Sequence, residues 1–517
     1  MGKVNYIRGG EKMKKVIMSL VSLSLFAGIA VGCTSDQEKA SKGSKESKES
    51  SEVTSGASAN GYTDLSELED QYDIVIIGAG GAGMTAALQA KEAGMNPAIL
   101  EKMPVAGGNT IKSSSGMNAS ETKYQKEEGI TDSNDKFFEE TLKGGKGTND
   151  KELLRFFVDH SADAIDWLDT KGIELSNLTI TGGMSEKRTH RPADGSAIGG
   201  YLVDGLVRNV KEEKIPLFVN ANVTEITEKD GQVNGVKVKL NDKETKEIKS
   251  NAVIVTTGGF GANKEMLEKY DPKLKDYVTT NQEGTTGDGI KMIEKLGGAT
   301  VDMKEIQIHP TVQQDKSFLI GEVVRGEGAI LASQEGTRFV NEMDTRDKVS
   351  AAITALPEKS AYLVFDQGVR DRAKAIDFYD EQGFVVEGAT IEELAKKIDM
   401  PEAALKDTVE QWNKEVQAKS DTQFNRATGM DHDLSTGPYY AIKIAPGIHH
   451  TMGGVKINTK TEVLKEDGTA IKGLYAAGEV TGGLHGANRI GGNAVADIII
   501  FGRQSGTEAS NFASAQK

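Results

Sequence analysis

Apolar residues are spread unevenly along this chain, and their spacing divides it into three stretches. Met13 to Gly32 reads MKKVIMSLVSLSLFAGIAVG, two lysines and then an apolar run too short, and too rich in small residues at its end, to span a bilayer. Residues 34–61 are dominated by Ser, Lys and Glu with almost no large apolar side chain. They bury too little to offset their ordering entropy and are expected to form a flexible linker. Near Tyr62 the periodicity becomes that of a folded protein. Ile74–Ile77 is apolar on both faces, which predicts a strand buried on both sides. A glycine-rich turn follows, then a helical pattern from Met84 to Ala93 stopped by Gly94. A second apolar run, Pro97–Leu100, ends in Glu101. Far downstream, two more apolar runs lead into Gly258 and Gly478.

At 517 residues the chain exceeds one simple core, so two large domains with appendages are expected. Its 59 glycines fall in clusters, as they do where backbone passes close to a ligand. The formal net charge of -15 argues against a nucleic-acid partner, because phosphate binding needs a basic surface. It also means that an anionic substrate needs Arg, Lys or His gathered locally. Cys33 is the single cysteine, which excludes a disulfide framework, a four-cysteine zinc or iron–sulfur site and a C-x-x-C-H haem attachment. No metal site is expected, and redox chemistry would use a cofactor held without thiolates. Cys33 ends the apolar run as Ala30-Val31-Gly32-Cys33, which resembles the lipobox of bacterial lipoproteins. That resemblance implies a signal peptide over 1–33, a lipid on Cys33 and an extracytoplasmic protein anchored to the membrane. Met13 is the better start, with residues 1–12 upstream of it.

Gly78, Gly80 and Gly83 stand in G-x-G-x-x-G spacing between the first predicted strand and its helix. Such glycines allow a tight turn and let the backbone approach a pyrophosphate seated on the helix N-terminus. Glu101, at the tip of the second strand, is placed to accept ribose hydroxyls. This motif alone does not separate FAD from NAD. The glycine pairs at Gly107-Gly108 and Gly258-Gly259 and the run into Gly478-Glu479 suit one long, extended dinucleotide, which favours FAD.

The longer segments GGNT (107–110), THRPADG (189–195), TTGDG (285–289), QIHPT (307–311) and GEVVRGEGAI (321–330) are irregular enough to be specific. RFVNEMDTRDKVSAAI (338–353), HHTMGGV (449–455) and GEVTGGLHGANRIGGNA (478–494) complete the set. Together they resemble the soluble fumarate reductase flavoprotein family, the flavin domain of flavocytochrome c included, from about Asp73 to about Ser510. The resemblance implies an α/β fold: a Rossmann-like FAD-binding domain with an inserted α+β capping domain. The expected division is 62–186 and 436–517 for the FAD-binding domain and 187–435 mainly for the cap, with a return to the FAD domain near 249–300. Glycine-rich hinges would flank Tyr439 and Ala445.

Reducing a C=C bond conjugated to a carboxylate needs a hydride from reduced flavin, cationic groups on the carboxylates and a proton donor on the opposite face. The family's roles carry over to Arg346 as proton donor, with Glu322 and Arg325 as the relay that restores its proton. His309, His450, Arg489 and the backbone of Gly492 would hold the substrate. Cofactor contacts carry over to Ala82, Glu101, Asn109, Thr110, Ser115, Val223, Asp288, Glu479, Ala494 and Val495. The pattern departs where fumarate reductases of the family place a pocket Thr: here stands Gly321, which removes a donor and is expected to open space, and Thr181 stands roughly where another pocket Met is found. The substrate implied is a small unsaturated mono- or dicarboxylate, fumarate first, with urocanate, methacrylate or aryl-acrylate types as alternatives. A flavin dehydrogenase and a non-enzymatic electron carrier are further readings. Electrons are expected from a separate membrane or surface donor.

Overall fold

The computed structural model describes residues 62–517, so Cys33 and the linker lie outside the described residues. The strand-turn-helix unit forms where the apolar runs place it. β1 (Gln71–Ile77) is buried along its last four residues, and α1 (Gly81–Glu92) leaves the strand end almost at once. β2 (Pro97–Leu100) is wholly buried and lies parallel to β1, Ile74 opposite Pro97 and Ile77 opposite Leu100. β3 (Leu217–Phe218) continues the sheet beyond β2. β4 (Ala221–Lys229), β5 (Gln232–Leu240) and β6 (Glu244–Val255) form an antiparallel meander. The end of β6 returns parallel to β1, with Ile77 opposite Val255. Parallel strands buried on both faces need near-continuous apolar sequence, which is what β1, β2 and the end of β6 carry.

The chain then builds a second sheet from β7 (Ile306–Gln313), β8 (Phe318–Leu319), β9 (Ile330–Ala332), β10 (Ala361–Asp366), β11 (Val385–Gly388) and β12 (Tyr439–Thr451). Helices α2 (Arg346–Ala355) and α3 (Ala375–Glu381) lie within this stretch. β13 (Glu462–Leu464) and β14 (Ala470–Ala476) rejoin the first sheet, β14 parallel to β6 with Ala476 opposite Val255. A 22-residue helix, α4 (Asn493–Ser514), closes the chain.

Two hydrophobic cores accompany the two sheets. One surrounds β1, β2, β6 and β14, and the other runs from Ile320 to Ile444 around β9, β10 and Trp412. The division differs from the expected boundaries of 187 and 435. Residues 217–255 pair within the first sheet, and the second sheet extends to Thr451. The reason is β12. Tyr439 and Ala445, which the expected hinges would flank, lie inside this 13-residue strand, paired to β10 and β11 on one stretch and to β7 on another. Its residues Tyr440–Ile444 belong to the second core, whereas Ile448 belongs to the first. The β7–β12 ladder is irregular between Gln307 and Ile308 and again between His309 and Val312, where Pro310 has no N–H to give.

Candidate active site

The turn after β1 is built for close approach. A side chain at Gly83 would collide with the carbonyl of Gly78, so only glycine lets the helix start that near the strand end. Glu101 accepts from the Ala79 N–H on one oxygen and the Met103 N–H on the other, each at 2.8 Å. Burial pushes its carboxyl pKa up, against those two bonds. Gly81 N–H donates to Thr110 Oγ1 at 3.0 Å. Asn109 ties the β14 end to the neighbouring loop, donating to Asn281 Oδ1 and Glu479 Oε2 and accepting from Gln282 N–H. Asp288 accepts from Lys102 Nζ at 2.6 Å.

These elements enclose a cavity of about 240 Å³. Of the positions expected to hold the cofactor, all but Gly83 line it. The first turn of α4 also faces it through Ala494 and Val495, where a helix leaves its N–H groups unpaired and favours negative charge. The glycine turn, the buried carboxylate on β2 and the helix terminus fit a dinucleotide of FAD length.

The same cavity is lined by Arg346, His449, His450, Arg489 and Gly492. Arg346, at the start of α2, meets Glu322 through two bonds: Nε to Oε1 at 2.8 Å and Nη2 to Oε2 at 3.0 Å. Thr181 Oγ1 donates to the same carboxylate at 2.8 Å, so this residue supports Glu322. Burial would raise the Glu322 pKa, but the Arg346 and Arg325 guanidiniums hold it well below the ordinary value. Arg325 Nη2 stands 3.7 Å from Glu322 Oε1, and its Nη1 donates to the Glu342 carbonyl at 2.6 Å. Its Nε and Nη2 are buried without a hydrogen-bond partner among the described residues, and burial draws its pKa down to about 10.

Gln307 was not singled out from the sequence, although it opens the QIHPT segment. Its Oε1 accepts from Arg346 Nη1 at 3.0 Å and from Arg489 Nη2 at 3.1 Å, which fixes the two guanidiniums side by side. Burial, then repulsion from Arg346, draws the Arg489 pKa down to about 9, and its Nε has no partner among the described residues.

The buried histidines of the site are held toward the neutral form. Burial, with nearby guanidiniums, holds His309, His449 and His450 well below the usual range. His309 Nδ1 accepts the Thr311 N–H at 3.2 Å, so its proton is on Nε2, a buried donor with no acceptor among the described residues. Adjacent residues on β12 then part company. His449 packs its ring 5.3 Å from that of His309 and feels Arg346 most among the charges. His450 turns instead toward Glu479, with Nδ1 3.5 Å from Oε1, and its ring is 5.4 Å from His485. Thus His449, which the sequence reading passed over, joins His309 and Arg346, while His450 sits with the Glu479 group.

Gly321 does not open space. A first side-chain carbon there would stand 3.1 Å from Ser114 Oγ and 3.3 Å from Tyr379 Oη, so hydroxyls from elsewhere occupy that side. The positions expected to contact cofactor, all but Gly83, and His450, Arg489 and Gly492 of those expected to hold substrate line one cavity, whereas His309, Gly321, Glu322 and Arg325 lie outside its lining.

A family model described as an FAD binding domain matches residues 73–495. The chain is 54% identical over 439 residues to an NADH:fumarate oxidoreductase of Klebsiella pneumoniae (strain 342), covering 85% of this chain but 48% of that protein. It is 45% identical over 444 residues to a fumarate reductase (cytochrome) of Shewanella frigidimarina, covering 86% of this chain and 78% of that one. The chain therefore spans about half the length of the first relative and more than three quarters of the second. Among solved structures, the open conformation of a flavocytochrome c3 fumarate reductase superimposes with a TM-score of 0.72 at 41% identity, over 87% of this chain and 79% of that one. With its cofactor cradle and its Arg346–Glu322 pair opening on one cavity, this chain belongs to the FAD-binding fumarate reductase flavoprotein family.

Proposed function

We propose that this protein reduces the C=C bond of a small unsaturated carboxylic acid, fumarate to succinate before others, outside the cytoplasm and on a lipid anchor at Cys33. The observation that carries the reading is the position of Arg346: it lines the cofactor's own cavity while its guanidinium is doubly bonded to a buried carboxylate. Bound FAD, once reduced, supplies the hydride. Arg489 and the Nε2–H of His309, with His449, hold a substrate carboxylate and draw electron density from the carbon that accepts. The unmet buried donors Arg489 Nε and His309 Nε2 suit an acceptor-only carboxylate. Arg346 gives a proton from its guanidinium to the other carbon of the double bond. Glu322 stabilises the cationic form and, with Arg325 beyond it, returns the proton. Gln307 keeps Arg346 and Arg489 in register. The guanidiniums of Arg346 and Arg489 on the cavity wall give an anion its local positive charge in a chain of net charge -15, with neutral imidazoles beside them. Electrons reach the cofactor from a separate carrier.

The test is a panel of unsaturated acids offered to the FAD-loaded protein with chemically reduced viologen, following dye oxidation. Fumarate is expected to oxidise the dye fastest. Oxidation by none of the acids would sink the reading.

A further inference from the structure

Arg489 and Gly492 belong to one short turn that leads into α4, and a residue outside the cavity grips that turn. Gly492 is the N-cap of α4, with φ +86°, and lines the cavity. Asn118, at the end of the two-residue strand Met117–Asn118, is fully buried and lies outside the lining. Its Nδ2 donates to the Gly491 carbonyl at 2.7 Å and to Asn493 Oδ1 at 2.8 Å. Its backbone N–H donates to the Gly492 carbonyl at 3.3 Å. All the donors of Asn118 thus go to residues 491–493. Its Oδ1 accepts from Thr189 Oγ1 at 2.7 Å, on the strand paired beside it, which fixes the way the amide faces. Thr189 opens the THRPADG segment, no residue of which lines the cavity.

The space around the two glycines shows what this grip holds in place. A first side-chain carbon at Gly491 would stand 2.0 Å from Glu322 Oε2 and 2.9 Å from Arg346 Nη2, so that ion pair packs directly on the Gly491 α-carbon. One at Gly492 would stand 2.3 Å from Asn118 Oδ1. The turn is pressed against the Arg346–Glu322 pair at one glycine and against the Asn118 amide at the next, approaches that only glycine allows. Two residues earlier, Gln307 Nε2 donates to the Arg489 carbonyl at 2.7 Å. With both ends tied, the backbone that carries Arg489 and Gly492 has little freedom to move relative to Arg346.

We propose that Asn118 is a positioning residue of the reduction: through the Gly491–Gly492 turn it sets how a substrate held by Arg489 and Gly492 stands relative to the proton on Arg346. This rests on the reading of the cavity as an unsaturated-acid site and adds a residue that acts from behind its wall. Reaction rate is steeper in the placement of reacting groups than binding is, so a shift of the turn costs turnover first.

Asn118→Asp keeps the shape of the side chain but sets an acceptor against the Gly491 carbonyl and Asn493 Oδ1. In the FAD-loaded protein, kcat for fumarate with reduced methyl viologen, per bound flavin, is expected to fall about a hundredfold at about pH 8, with KM changed less than about threefold. Lowering the pH is expected to recover part of this loss, because a protonated carboxyl again donates to the Gly491 carbonyl. Thr189→Val, which frees the amide to turn, is expected to lower kcat about tenfold, and Thr189→Ser, which keeps the hydroxyl, to recover most of it. This pair decides the matter if Asn118→Asp does not retain FAD. Turnover per bound flavin within about threefold of wild type in Asn118→Asp overturns the assignment. So do a raised KM with unchanged kcat, equal losses in Thr189→Val and Thr189→Ser, and loss of FAD from both Asn118→Asp and Thr189→Val, the outcome of a merely structural role. A wild-type protein that reduces no acid fails the reductase reading and this assignment with it, whereas an active wild type with unaffected variants fails this assignment alone.

Discussion

Arg346 and Glu322 face each other as a two-point pair, Nε to Oε1 at 2.8 Å and Nη2 to Oε2 at 3.0 Å, with both side chains less than a tenth exposed. A buried pair of this geometry is costly to break from one side, because the partner is left charged and unmatched. It also fixes the face of the guanidinium turned to the cavity.

Arg346→Ala is therefore expected to retain FAD and to lose turnover by roughly a thousandfold, the scale of removing a preorganised charged donor. Flavin absorbance per protein and viologen oxidation measured on the same sample check both halves. Turnover within a few-fold of wild type would remove Arg346 from the chemistry.

The pH profile should be set by arginine. Burial holds His309 and His449 well below the usual range, so their neutral forms persist and are expected to give no inflection between about 6 and 8. Arg489 is lowered to about 9, so raising pH through that value removes its charge from the free enzyme. The expected result is kcat/KM that is flat near neutrality and falls above about 9, whereas in kcat, where bound carboxylate favours the charged form, the fall moves to higher pH. A loss of kcat/KM on the acid side with a midpoint near 6.5 would contradict the neutral histidines.

The two neighbouring histidines of β12 should separate by phenotype. His449→Ala is expected to raise the KM for fumarate by about tenfold or more with FAD retained, the loss of one hydrogen bond to a charged group. His450→Ala, beside Glu479, is expected to alter FAD retention or the flavin spectrum first. Steady-state kinetics and cofactor content of both variants decide, and interchange of the two phenotypes would reverse the assignment.

The second core is held by a buried ionic cluster. Arg338 grips both oxygens of Glu342 at 2.8 Å, Arg426 Nη1 reaches the same carboxylate at 3.1 Å, and both guanidiniums lie 4.6 Å from the Trp412 ring centre. Glu342→Ala leaves the buried Arg426 without its carboxylate, while Arg338 keeps Asp421 and Glu415, and is expected to destabilise the protein by about 3 kcal/mol in urea unfolding. A shift below about 1 kcal/mol would show that the cluster relaxes around the loss.

Cys33→Ala is expected to move the protein from the membrane fraction to the soluble fraction, with FAD content unchanged. Membrane retention of the variant would argue for a different attachment.

How much of this was legible beforehand depended on chain distance. The cofactor cradle is a contiguous strand, turn and helix, so the spacing of Gly78, Gly80 and Gly83 carried it. The choice between His449 and His450 was not visible. Neighbouring residues on a strand point to opposite sides, and the two irregularities in the β7–β12 ladder prevent anyone from counting sides forward from Tyr439. Gly321 was read as a gap because the atoms that fill it, on Ser114 and Tyr379, lie far from it in sequence. The return of β6 to the first sheet was expected near 249, but the sheet already takes in residues 217–240, whose strands carry no local pattern that names the sheet they join.

β12 has one end in each core. A strand paired along both stretches is stiff along its length, so it works as a connecting rod between the domains. A rotation of the second domain would be delivered through Pro446 to the rings of His449 and His450, and the grip on substrate and the environment of the cofactor would change in the same stroke.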